Sequence, residues 1–179
     1  MIVIELNSLR NGLPTLTSAW GSFLSEAGQY CLTRAAHQSG TILKLINDDK
    51  IIQIIWDNQL DIRSEYSYGD DEEATEYGAI CISILLAIKL TEFNTVIRTC
   101  KGSGFDYWLG NYNESNDLPF QQCTRLEVSG IKEGTENKIR IRTNEKIKRF
   151  NSIKQNNLPA IISIIEFSKP IANFFIYYE

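Results

Sequence analysis

The sequence predicts an α/β chain of the α+β type, with a central mixed sheet flanked by helices. Three observations predict it. Apolar residues recur at three- and four-residue steps in long stretches, and short runs rich in β-branched residues are bounded by turn chemistry. From residue 71 the two kinds follow one another as helix, strand, strand, strand, helix, strand. At 179 residues, 43% hydrophobic and 22% charged, the chain suits a single domain over 1–179 with a substantial core. We divide it into an N-terminal helix and hairpin element (1–70), a core (71–168) and a C-terminal tail (169–179).

MIVIEL opens the chain as a short strand, and NGLP at 11–14 is a turn. Thr17 or Ser18 then caps a helix in which Trp20, Phe23, Ala27, Tyr30, Cys31 and Ala35 share a face, running to about His37. TILKLI and IIQIIW flank NDDK as a hairpin, and the acidic stretch that follows reads as a surface loop. A second helix starts near Asp71 and is apolar nearly all round after Ala79, as a core helix is. NTVIRTC is a strand, and a Lys-Gly-Ser-Gly turn leads into FDYWLG as its antiparallel neighbour. A polar loop over 111–122 precedes the strand TRLEVSGI. A basic helix over 135–150 turns Ile139, Thr143, Ile147 and Phe150 inward, and AIISIIEF is a buried strand. NFFIYYE is either a last strand or an exposed apolar end.

The longest apolar stretch, AICISILLAI at 79–88, is far short of the roughly 20 residues of a membrane span, and the N-terminus lacks signal-peptide features. A cytoplasmic protein without membrane contact is expected. Cys31, Cys81, Cys100 and Cys123 lack close-pair spacing, so buried reduced thiols are expected, and the single histidine, His37, reads as structural or surface. The net charge is −4, yet between Arg125 and Lys154 nine cations face four acids. A basic third on an acidic body points to a localised face for an anionic partner.

Two strands carry an acid each, Asp106 in FDYWLG and Glu127 in RLEVSG. Burying an ionised carboxylate costs several kcal/mol unless a charge, hydrogen bonds or a metal compensates. Together with Glu76 on the preceding helix, these acids and the element order resemble the core of the PD-(D/E)XK nuclease superfamily, over about 71–168. The resemblance implies a restriction-endonuclease-like αβββαβ core and hydrolysis of nucleic-acid phosphodiesters with Mg²⁺ or Mn²⁺. It implies that Glu76, Asp106, Glu127 and the Val128 carbonyl hold the metal. The family's third catalytic position is usually Lys but here is Ser129, so either a lysine is recruited, with Lys101, Lys138 and Lys146 as candidates, or the active site is degenerate. Lys138, Arg140, Arg142 and Lys146 are the expected nucleic-acid contacts. The phrases ATEYGA, KGSGFDYWLG and RLEVSGI are also similar to short bacterial proteins of anti-phage or restriction loci.

Plainer readings stand beside these. Asp106 can accept hydrogen bonds at a strand end, Glu127 can pair with Arg125 or a helix cation, and Glu76 can serve the helix dipole. The basic helix can be a solvated face. Three functions follow: a metal-dependent nuclease acting on DNA ahead of RNA; an inactive nuclease-fold subunit that binds a partner protein or nucleic acid; or an enzyme of unrelated chemistry, for which no Ser-His-Asp set, Cys-His pair or phosphate loop is present. A homo-oligomer or a subunit of a larger complex is expected.

Overall fold

The structure, a computed structural model, describes residues 1–46, 48–57, 60–112, 123–152 and 158–178. Most of the polar loop expected over 111–122 lies outside the described residues, as do Asn47 of the NDDK turn and Lys154. The elements are β1 (Ile2–Glu5), a 3-10 helix (Leu6–Asn11), α1 (Ser18–Arg34), β2 (Thr41–Leu45), β3 (Ile51–Ile55), α2 (Ser64–Ser67), α3 (Asp71–Leu90), β4 (Thr95–Arg98), β5 (Tyr107–Gly110), β6 (Thr124–Ile131), α4 (Glu136–Ser152), β7 (Ala160–Glu166) and β8 (Ile171–Tyr177).

One mixed sheet runs through them all, in the order β1-β3-β2-β8-β7-β6-β5-β4. The α/β class is as the sequence predicts, and the order α3, β4, β5, β6, α4, β7 matches the expected helix and strand succession. β4, β5 and β6 form an antiparallel meander, and α4 carries the chain over to β7, parallel to β6. The tail is a strand inside the sheet. β8 pairs along β7 on one side and meets β2 at Lys44 and Leu45 on the other, so it joins the N-terminal hairpin to the core. An exposed apolar end is thereby corrected, because pairing satisfies backbone groups that a free tail would leave to water.

Alternation along the strands sends side chains to two cores. Leu126, Val128, Ile161 and Ile165 pack against α1 and α3, whereas Ile131, Ala160, Ile162 and Ile164 pack on the opposite side with Ile139 and Phe150 of α4. Each such fully buried Leu, Ile or Phe contributes about 1.5–3 kcal/mol. Thr17 caps α1 by accepting from the Trp20 N–H (3.3 Å), and Asp70 caps α3 by accepting from Glu72 (2.8 Å) and Glu73 (3.1 Å). α1 ends at Arg34 rather than His37, because Ala36 turns the chain at φ 63°. The His37 ring is structural, with Nε2 2.9 Å from the Phe167 carbonyl oxygen.

Further differences are local. The acidic stretch holds the short α2, and MIVIEL runs on into the 3-10 helix. Cys31 and Cys81 are buried, and burial pushes the Cys31 thiol up to about 12, but Cys100 is exposed and Cys123 half-buried. The expectation of four buried thiols therefore holds for two. Glu166 is fully buried in β7, where Oε1 accepts from the Gly134 (3.1 Å) and Ser168 (2.9 Å) N–H groups and Oε2 from Lys169 (2.9 Å). It ties the loop before α4 to the β7–β8 turn.

α3 lies so close to β6 that a Cβ at Gly130 would stand 2.3 Å from the Thr75 carbonyl oxygen. Gly130→Ala should therefore push helix and strand apart and destabilise the protein by about 1–3 kcal/mol. Denaturant unfolding checks this, and an unchanged midpoint would show that the gap relaxes freely.

Candidate functional site

β6 is eight residues long, and β5 pairs only with its first half, at Thr124, Arg125 and Leu126. From Glu127 onward that edge of β6 has no strand neighbour among the described residues, which leaves a notch in the sheet. Asp106, one residue before β5 begins, fills it: its Oδ2 accepts from the Val128 N–H at 2.8 Å. A strand residue turns its N–H and C=O to the same edge, so the Val128 carbonyl faces the notch too.

The turn before Asp106 is held tightly. The Thr99 N–H and hydroxyl donate to the Asp106 carbonyl (3.0 and 3.1 Å), and the Ser103 hydroxyl donates to Phe105 O (2.8 Å). Gly102 and Gly104 sit at φ 95° and 88°, a region that side chains disfavour. Thus the KGSGFD sequence is the device that delivers one carboxylate to the sheet edge.

Glu127 is 2% exposed and lies on the α4 face of β6. Lys146 Nζ is 2.5 Å from its Oε1, and Arg149 lies at 3.9 Å. Burial first, and the charge of Asp106 second, raise the Glu127 carboxyl from 4.5 to about 7, against the pull of Lys146 and Arg149. The helix-cation alternative for Glu127 is therefore present in the fold, and it is Lys146 that answers this acid. Arg125 stacks its guanidinium on Phe150 and donates to the Leu158 carbonyl.

A cleft of about 660 Å³ opens on these groups, lined by Glu76 and Tyr77 of α3, Arg98, Lys101, Asp106, Glu127, Lys146 and Arg149. The fold thus gathers Glu76, Asp106, Glu127, Lys101 and Lys146 around one space. An adjoining cleft of about 360 Å³ is lined by Val128, Ser129, Lys132, Lys138 and Arg142, and again by Glu76 and Lys146. Ser129 belongs to this second cleft, where its hydroxyl accepts from Arg142 at 3.5 Å. Arg140 is exposed and lines neither cleft, since it points off the helix stripe formed by Lys138, Arg142, Lys146 and Arg149. Tyr107 is core, as alternation with Trp108 requires of one of the two, and Trp108 stands edge-on to Phe105.

Arg98 was not singled out by its sequence. It pairs across the hairpin with Tyr107, next to Asp106, and its guanidinium lies 4.7 Å over the Trp20 ring. Trp20 Nε1 in turn donates to the Tyr107 hydroxyl at 3.3 Å. Counting back through the KGSG turn would have found Arg98, but Trp20 is brought there only by the packing of α1.

Among the described residues no group of three or more His, Cys, Asp or Glu converges as a metal cage, and no helix is long and apolar enough to cross a membrane. No protein-family model, curated protein or solved structure matches the chain.

Proposed function

We propose that the protein hydrolyses nucleic-acid phosphodiesters with a divalent metal, in the manner of the PD-(D/E)XK nucleases that its motifs resemble. The observation that carries this reading is the pairing of Asp106 and Glu127 at the sheet notch, with Lys146 on Glu127 and a cleft in front that is lined by both acids and cations. Each acid has a partner within the fold, but the charge of Asp106 still works against ionised Glu127, a cost that a bound divalent cation would remove.

The donor set fits Mg²⁺ or Mn²⁺. Asp106, Glu127 and the Val128 carbonyl offer hard oxygens, and Mg²⁺ is commonly held by one or two carboxylates while keeping waters and substrate phosphates. Glu76 lines the same cleft but does not converge with Asp106 and Glu127 as a three-acid cage. When bound, such an ion polarises the phosphate and lowers the pKa of water. Glu127 must be ionised to serve it. Lys146 supplies the positive charge that Ser129 lacks, and Arg98 and Lys101 hold phosphate oxygens at the cleft mouth.

Cleavage of plasmid, linear DNA and RNA with Mg²⁺ or Mn²⁺ tests this, with Asp106→Ala and Glu127→Ala purified alongside. Both substitutions should abolish cutting. Mn²⁺ should raise the wild-type melting temperature but not that of Asp106→Ala. A wild type that neither cuts nor shifts with metal would sink the nuclease reading and favour an accessory subunit.

A further inference from the structure

We infer that the polynucleotide runs through the site from one side to the other, so that strands are cut internally and no free end is needed. This rests on the nuclease reading of the acid pair.

The two clefts adjoin along the unpaired edge of β6 and share Glu76 and Lys146, one residue from each wall. The order along α4 gives the direction from one to the other. On α4, Lys138 and Arg142 line the second cleft, Lys146 lines both, and Arg149 lines the first. At 1.5 Å per residue, Lys138 to Arg149 spans about 16 Å. On α3, Asp71, Glu72 and Thr75 line the second cleft, Glu73, Tyr77 and Ile80 the first, and Glu76 both.

Asp106 and Glu127 line the first cleft beside Lys146, the residue that it shares with the second. Arg98 and Lys101 line the first cleft with them, and Arg142 and Lys138 line the second. A site that trims ends needs its reacting position at the end of the track. Both wings also hold a guanidinium in place before substrate arrives: Arg98 over Trp20 at 4.7 Å, and Arg142 between Ser129 (3.5 Å) and Glu145 (3.6 Å). Such pre-ordered forks suit phosphate oxygens.

The test supplies DNA and RNA of one sequence, each as a covalently closed circle and as an end-labelled linear strand, with Mn²⁺. Circles should be cut at rates within a few-fold of the linear strands, and linear products should begin at internal positions. Linear strands shortened only from their ends, with circles intact, would overturn this inference and leave the nuclease reading standing. If nothing is cut, both fall. A second arm measures Lys138→Ala/Arg142→Ala, which leaves the acid pair untouched: KM should rise about tenfold with kcat kept. The slope of log affinity against log salt should flatten by roughly 1.4 on single strands, two phosphate contacts' worth. An unchanged KM and slope would remove the second wing from the track.

Discussion

Glu127→Gln is expected to abolish cleavage while making the protein more stable at neutral pH. The carboxyl titrates near 4.5 when unfolded and is held up to about 7 in the fold, by burial and then by Asp106. Between those values the folded chain keeps a proton that the unfolded chain has released. Wild-type stability therefore falls as pH rises from about 4.5 to about 7 and stays at the lower level above that. At about 1.4 kcal/mol per pKa unit, this one group carries roughly 3 kcal/mol across the window. Gln has no such proton, and it still offers Lys146 a carbonyl oxygen. Urea unfolding across pH 4.5 to 7 should show the variant gaining steadily on the wild type. Parallel curves would mean that Lys146 fully neutralises the acid. For the same reason, wild-type affinity for Mn²⁺ should climb with pH and level off above about 7, where the metal-free carboxyl is already ionised.

Lys146→Met is expected to have the other large effect, in the opposite sense for stability. The lysine is 17% exposed and holds a nearly inaccessible carboxylate at 2.5 Å. Removing one partner of a buried pair leaves the other charge uncompensated, at about 3–5 kcal/mol. Arg149 at 3.9 Å and protonation of Glu127 limit the loss to about 2–3 kcal/mol above pH 7, and it should shrink toward acid pH. Cleavage should drop about 10²–10³-fold, the scale of losing one preorganised group at the reacting centre. The Mn²⁺-dependent thermal shift should survive and grow, because the lysine and the metal compete for Glu127. Combining Lys146→Met with Glu127→Gln should restore stability without restoring cutting. If Lys146→Met keeps full activity, the recruited lysine lies elsewhere, with Lys101 next in the same cleft.

Much of the fold was legible because local patterns and tertiary packing agree. β6 spans Thr124–Ile131, the whole of TRLEVSGI, and α3 begins at Asp71 behind an Asp cap. Boundaries were lost where a single backbone torsion intervenes, as at Ala36. The tail resisted reading because an apolar run states that it must be covered without saying by what, and here the cover is β7 on one edge and β2 on the other. Glu166 shows the same limit for acids. In sequence it is another carboxylate in a buried strand, but backbone N–H groups and the Ser168 hydroxyl answer for it.

What the amino-acid sequence by itself determined is the class of fold, the succession of core elements and the pair of acids that demand compensation. Periodicity and desolvation are properties of neighbours in the chain, so they can be read there. Only the tertiary structure decided that β5 stops short and opens a notch at Val128. The same packing places Lys146 rather than Ser129 beside the acids, turns Arg140 away and lets Trp20 of the N-terminal element hold Arg98 at the cleft. Those choices depend on which helix crosses which strand and at what register, and long-range packing sets both.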